Sequence, residues 1–368
     1  MEHSGIAVVI GTNAELIKSM PVMLELQKKN DYWFIHTGQH NLGKSGELFN
    51  VKKPDFILSK EPEGGTKFFS IINRISFLWF IMMIFRIRKT LIKINPKYVI
   101  YHGDTMSTAA AAIASSKMLN PLKKWKNVHL EAGLRSGSLF EPFPEEISRK
   151  ISDRFSDVLL AVSERSRKNL ENEKNKGKII LTGNTVVDSA HMTYDKAKKT
   201  NKKIPEEYAL INLHRHENLV NKERMKKIID ILKSVKIKAV WPLHENTRHY
   251  LEKYGLMEEV RKMENIEATG LVDYSKFIFL IANCKYIIND GGSIQEESLV
   301  FGKPCVILRK RTERQEGLET GINFLTNLDV GYSKKTIQEI ESGKISSKKI
   351  KNPYGEKGLS KKIAEGLR

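Results

Sequence analysis

Cysteine is nearly absent: Cys284 and Cys305 are the only two in 368 residues. They stand singly in apolar surroundings, which excludes a disulfide framework or a thiolate metal site and makes a reducing cytoplasm the expected compartment. No apolar run is long enough for a transmembrane span; ISFLWFIMMIF at 75–85 is bounded by arginines and too short to cross about 30 Å of hydrocarbon as a helix. The opening MEHSGIAVVIGT lacks the charged, apolar and cleavage regions of a signal peptide. Neither HExxH, paired His/Cys spacing nor a DxD-like pair is present, so no metal is expected. The first strand runs into GTNAE rather than GxGxxG, and no GxSxG elbow occurs, so neither a nicotinamide cofactor nor a serine nucleophile is expected. Acidic residues are the scarcer charge, 43 against 62 Lys and Arg, for a net +19. The lysines are scattered, with no recognition helix, zinc finger or RNA-binding signature; a small anionic substrate is expected and no nucleic acid.

What is present is alternation. GIAVVIGT, DYWFIHTG, KYVIYHGD and NVHLEAG are short runs of strand formers separated by helical patterns, and YALINLH, KAVWPLH, NIEATG, KYIIND and PCVILR repeat the theme. This is the pattern of parallel sheets with crossover helices, an α/β fold. Two Rossmann-like domains are expected, 1–190 and 191–350, joined through polar sequence between about 185 and 205, with a helical tail at 351–368. Ligands of such sheets bind beyond the strand C-termini, so Thr12, His40, Asp104 and Glu131 are expected in one crevice, and the interdomain cleft is the expected active site. The 75–85 stretch reads as a buried or subunit-interface helix. With the basic RIRKTLIKI behind it, peripheral membrane contact through 75–94 is the alternative.

Among groups able to move protons, Asp104, Glu131, Glu145 and His214 are the candidates, the first two at strand ends and Glu145 behind the prolines of PFPEE. NDGGSIQEES places Asp290, Gly291, Gly292 and Ser293 between an apolar strand and a helix, where backbone amides can approach an anion. Glu296 is suited to accept both hydroxyls of a ribose, or simply complements the helix dipole. His214, Arg215 and His216, with Arg309, Arg311 and Arg314, offer cations for a diphosphate.

Taken in order over about 6–326, GTNAELIKSMPV, TGQH, HGDTMS, EAGLRSG, PFPEE, HRHE, WPLHEN, DGGSIQEE and TERQE resemble the UDP-N-acetylglucosamine 2-epimerase family, non-hydrolysing type. The resemblance implies a glycosyltransferase-B arrangement, with UDP mainly on the C-terminal domain and the sugar facing the N-terminal one. It implies a UDP-sugar substrate, no cofactor, a homodimer and a role in polysaccharide or glycan biosynthesis. The implied reaction expels UDP from C1, removes the C2 proton to give a 2-acetamidoglucal, and adds UDP back with a proton on the opposite face. Asp104, Glu131 and Glu145 would be the acid/base set, with close carboxylates raising at least one pKa. His214, Arg314 and the glycine loop would stabilise the leaving diphosphate; Lys18, Gln39, His244, Asn246 and Glu296 are further matched positions. Asn13 and Asn41 stand where the family has arginine, and Ala14 where it has proline. A hydrolysing epimerase releasing N-acetylmannosamine and UDP, a glycosyltransferase of the same fold and a non-catalytic sugar-nucleotide sensor are the alternatives.

Overall fold

The computed structural model describes residues 5–29, 32–42, 45–61, 74–138, 144–201, 207–347 and 350–367. Pro142 and Phe143 of the PFPEE motif lie outside them. The chain divides into two compact units, one of Met1–Ser189 with Tyr354–Arg368 and one of Ala190–Pro353.

The first unit is built on a parallel sheet of β1 (Ile6–Ile10), β2 (Trp33–His36), β3 (Phe56–Ile57), β4 (Tyr98–His102), β5 (Lys126–Ala132), β6 (Val158–Ala161) and β7 (Lys178–Leu181), in the order β3-β2-β1-β4-β5-β6-β7. Every residue of β1 is buried, because both faces are covered. On one face Leu16, Met20, Met23 and Leu26 of the helix Asn13–Gln27 meet Ile363, Ala364 and Leu367, so the C-terminal tail completes this layer. On the other, Trp79, Met83, Ile84, Ile87 and Leu91 form a helical stripe of Arg74–Ile94 against the small side chains of Met106–Ser115. Its opposite side leaves Phe77, Leu78, Phe85 and Ile92 more than half exposed. Trp79 is 6% exposed and belongs to the core, because it falls on the stripe that must cover the sheet.

The helix Asn13–Gln27 starts directly after the loop that leaves β1. Thr12 and Glu15 close a capping box, the Thr12 hydroxyl accepting from Glu15 N at 3.2 Å and the Glu15 carboxylate accepting from Thr12 N at 3.0 Å. Pro21 inside this helix has no N–H to give to the Ile17 carbonyl one turn back. The Ser189 hydroxyl donates to that carbonyl instead, at 2.8 Å.

The second unit repeats the plan with β8 (Tyr208–Asn212), β9 (Lys238–Pro242), β10 (Ile266–Thr269), β11 (Tyr286–Asn289), β12 (Cys305–Ile307) and β13 (Asn323–Leu325), ordered β10-β9-β8-β11-β12-β13 and all parallel. In each sheet the strand order reverses at one place, β1/β4 and β8/β11, and the loops that leave the strands there open a crevice. GTNAELIKSMPV, HGDTMS, HRHE and DGGSIQEE follow those four strands, and TGQH, EAGLRSG, WPLHEN and TERQE follow the neighbouring β2, β5, β9 and β12.

Candidate active site

Glu131 lies inside β5 yet has φ of 64°, and the pairing with β6 slips between Leu130 and Ala132. An L-residue in the left-handed region costs about 1–2 kcal/mol. The bulge re-aims the side chain, and such strain persists only where the surroundings enforce it. They do so here through one oxygen: Oε2 receives Lys18 Nζ at 2.6 Å and Asn184 Nδ2 at 3.0 Å, with both members of the ion pair buried. His102 Nε2 lies 3.9 Å from the same oxygen. Burial pushes His102 down to about 4, with Glu131 opposing that shift, so a neutral imidazole stands beside the carboxylate.

Asp104 follows two residues after His102 and pairs with Arg149, which also reaches Glu146 at 2.9 Å. Glu145 opens the helix Glu145–Arg154 and is partly exposed. Arg149 thereby ties the Asp104 loop to the helix start that carries Glu145. Of the three carboxylates, Glu131 is paired with Lys18 and Asp104 with Arg149. A buried frame stands behind them. His129 Nε2 lies 2.8 Å from the Gly103 carbonyl and Nδ1 2.7 Å from Asp153, whose other oxygen pairs with Arg135 Nη2 at 2.7 Å. This fixes the backbone between His102 and Asp104.

Glu15 joins the strand ends from below. It accepts from Gly11 N at 2.5 Å, from the Thr108 hydroxyl at 2.8 Å and from the Thr105 hydroxyl, and burial still pushes it up to about 7. Gln39 spends its carbonyl on Ser107, accepting from N at 3.0 Å and Oγ at 2.7 Å, which locks the loop after β2 to the helix after β4.

In the second unit the hub is Asp290, fully buried, whose carboxylate accepts from His214 N at 2.9 Å, Arg215 N at 3.1 Å and Asn218 Nδ2 at 2.9 Å. The ring centroids of His214 and His244 are 4.5 Å apart, and burial lowers both to about 4, with the neighbouring Arg215 and His214 adding to the respective shifts. Asn212 Nδ2 lies 3.2 Å from His214 Nδ1 and 3.0 Å from Asn289 Oδ1. An amide hydrogen on Nδ1 leaves the His214 proton on Nε2, where it can be donated outward. Gly291 N donates to Asn289 Oδ1 at 2.7 Å, and Ser293 caps the helix Ile294–Val300 without a side-chain hydrogen bond. Arg314 contacts both Glu313 and Glu296, the latter at 3.3 Å; Glu296, read from sequence as a ribose acceptor, is fully buried in this pairing. Asn246 is exposed on the first turn of Glu245–Lys253.

The sequence-predicted residues therefore gather in two sets: Lys18, Asp104 and Glu131 with Glu145 linked through Arg149, and His214, His244, Asp290 to Ser293, Glu296 and Arg314. Sequence reasoning missed Glu15, His102, Arg149 and Asn184. Glu15 carried a readable signal, the T-x-x-E capping box; His102 lay in the quoted HGDTMS, and the other two reach the site only through folding.

The family model for UDP-N-acetylglucosamine 2-epimerase matches residues 24–368. UDP-N-acetylglucosamine 2-epimerase of Methanocaldococcus jannaschii is 32% identical over 95% of each chain. UDP-2,3-diacetamido-2,3-dideoxy-D-glucuronate 2-epimerase of Pseudomonas aeruginosa is also 32% identical, over 98% of this chain and 99% of its own. The crystal structure of the Neisseria meningitidis UDP-GlcNAc 2-epimerase bound to UDP-GlcNAc superposes with a TM-score of 0.82 at 29% identity, covering 98% and 99% of the two chains. With the doubled parallel-sheet fold and the ordered motifs, these similarities place the chain in the UDP-N-acetylglucosamine 2-epimerase family.

Proposed function

We propose that this chain interconverts UDP-N-acetylglucosamine and UDP-N-acetylmannosamine by elimination and re-addition of UDP. The observation that carries the reading is Glu131: a carboxylate on a strained bulge, gripped at one oxygen by Lys18 and Asn184 and adjoining the Asp104 loop. The C2 hydrogen of the sugar has no ring carbonyl beside it, so direct exchange at C2 is too slow. Elimination removes that difficulty. The C1–O bond breaks with its electron pair on the departing diphosphate, a carboxylate of the Asp104, Glu131 and Glu145 set takes the C2 proton, and a 2-acetamidoglucal remains. Return of a proton to the opposite face of C2 and attack of a diphosphate oxygen on C1 give the epimer. The neutral His214, with its proton on Nε2, and Arg314 supply donor and charge to the leaving diphosphate.

The equal identity to the Pseudomonas aeruginosa enzyme makes a 2,3-diacetamido glucuronate sugar on the same UDP carrier the second reading. A homodimer is part of the proposal, a second copy covering the exposed apolar side of Arg74–Ile94. The free, buried thiols of Cys284 and Cys305 suit a reducing cytoplasm, where the product would feed polysaccharide or glycan biosynthesis.

Proton NMR in heavy water tests the reaction. With UDP-N-acetylglucosamine, deuterium at C2 and two intact UDP-sugars are expected, and Glu131→Gln is expected to lower the exchange rate by about 10²–10⁴-fold. Free N-acetylmannosamine with UDP would replace the reading by hydrolysis; turnover of the diacetamido sugar alone would replace the substrate.

A further inference from the structure

We infer that Asn184 is a positioning residue for Glu131, the anchor that selects which carboxylate oxygen is withheld from the substrate. The inference rests on Glu131 acting in the reaction proposed above. Asn184 is 1% exposed and follows Gly183, which has φ of 87° and whose Cβ position would lie 2.5 Å from the Tyr354 carbonyl. Its polar groups reach Glu131, the Tyr354 carbonyl and its own turn. The side-chain Nδ2 donates to Glu131 Oε2 at 3.0 Å, Oδ1 accepts from Val186 N at 3.1 Å, and the backbone N donates to the Tyr354 carbonyl at 2.9 Å. The Val186 bond fixes the orientation of the amide, since only oxygen can accept there, and so turns the NH₂ group onto the carboxylate.

The rest of the segment holds the same ion pair from its other end. Ser189 donates to the carbonyl of Ile17, the one left open by Pro21 and next in sequence to Lys18. Asp188 accepts from Gly358 N at 2.6 Å and Ser360 N at 2.7 Å, pinning the returning tail to the same turn. Residues 184–189 therefore fasten Glu131, the backbone beside Lys18 and the C-terminal tail together, and among them only Asn184 touches the carboxylate through a side chain.

The discriminating variant is Asn184→Asp. It keeps an oxygen for Val186 N and the backbone bond to Tyr354, but replaces a donor by an anion against Glu131. The expected result is a fall in kcat on the order of 100-fold at neutral pH with KM changed less than about threefold, and an acid limb of the kcat profile moved up by about one pH unit. A purely structural cap would tolerate aspartate and leave the limb in place. Wild-type protein, assayed in parallel for C2 deuterium exchange, separates the two readings: exchange in wild type with an unmoved limb in the variant overturns the positioning role alone. Absence of exchange in wild type overturns the proposed function. The Asn184–Glu131 pairing is then decided by thermal unfolding of Asn184→Asp in the wild-type and Glu131→Gln backgrounds. Relief of the Tm loss by glutamine, which can donate to the new carboxylate, supports the pairing, and additive losses refute it.

Discussion

A side chain at position 292 would press on two others: its Cβ would stand 2.9 Å from Glu313 Oε1 and 3.0 Å from Arg314 Nη1. Gly292→Ala therefore shifts the ends of Glu313 and Arg314 by a few tenths of an ångström. If Arg314 serves the diphosphate, calorimetric titration should show UDP binding weakened by about tenfold, roughly one charge-assisted hydrogen bond, with little change in Tm. Unchanged UDP affinity would remove Arg314 from the diphosphate site. At this scale the sequence was readable where function packs several residues into one strand end. Glu131 sits in EAGLRSG and Asp290 in DGGSIQEE, and each stands where a parallel strand delivers its loop to the crevice. It was silent where partners come from afar. Arg149 and Asn184 are an arginine on an amphipathic helix and an asparagine in a turn, and nothing local distinguishes them from solvated residues; the contacts with Asp104 and Glu131 exist only once β4, β5 and β6 are adjacent.

Among the elements, the strands most easily read were the mainly apolar runs of four or five residues, IAVVI, WFIH and YALIN, because burial on both faces leaves few polar interruptions. Two-residue β3 and three-residue β13 are too short to display any period, and edge strand β7 exposes most of its KIIL. The helix Arg74–Ile94 was recognised as apolar, but the string ISFLWFIMMIF does not show which side faces inward. The sheet decides it, taking Trp79, Met83, Ile87 and Leu91 and leaving Phe77, Leu78, Phe85 and Ile92 outside. The informative variant is thus Leu78→Glu with Phe85→Glu, which places two charges on the outward side. Sedimentation velocity is expected to show a dimer for the parent chain and a monomer for the double variant, with the circular dichroism of the two alike. A parent chain that sediments as a monomer, or a dimer that survives both glutamates, would remove this face from the assembly.

For the whole molecule, acid stability follows from which groups were buried neutral. His102, His214 and His244 titrate near 4 in the folded protein against 6.5 when free, so below 6.5 the unfolded chain binds protons that the folded chain refuses. Their contribution is whole above 6.5 and is lost as pH falls toward 4. Glu15 works in the opposite sense: raised from 4.5 to about 7, it destabilises the fold as pH climbs through that range. Burial lowers His36 and His40 in the same sense and raises Asp290 like Glu15, so five histidines act against two carboxylates, a net loss on acidification between 6.5 and 4. For the enclosed His102 the slope approaches about 1.4 kcal/mol per pH unit. Urea unfolding at pH 7, 6 and 5 should show the decline, and His102→Gln should flatten it by about one proton; equal stability at pH 7 and 5 would contradict the buried-neutral assignment.

The tail that completes the first sheet's helical layer also sets an order of manufacture. Met1–Ser189 is synthesised first, but Ile363, Ala364 and Leu367, which cover Leu16 and Met20, are translated only after the whole of Ala190–Pro353. At about 5–20 residues per second, the earlier segment waits on the order of ten to thirty seconds on the ribosome with that apolar face uncovered. The second unit, continuous in sequence, is free to finish folding first, and the half made earliest is sealed last.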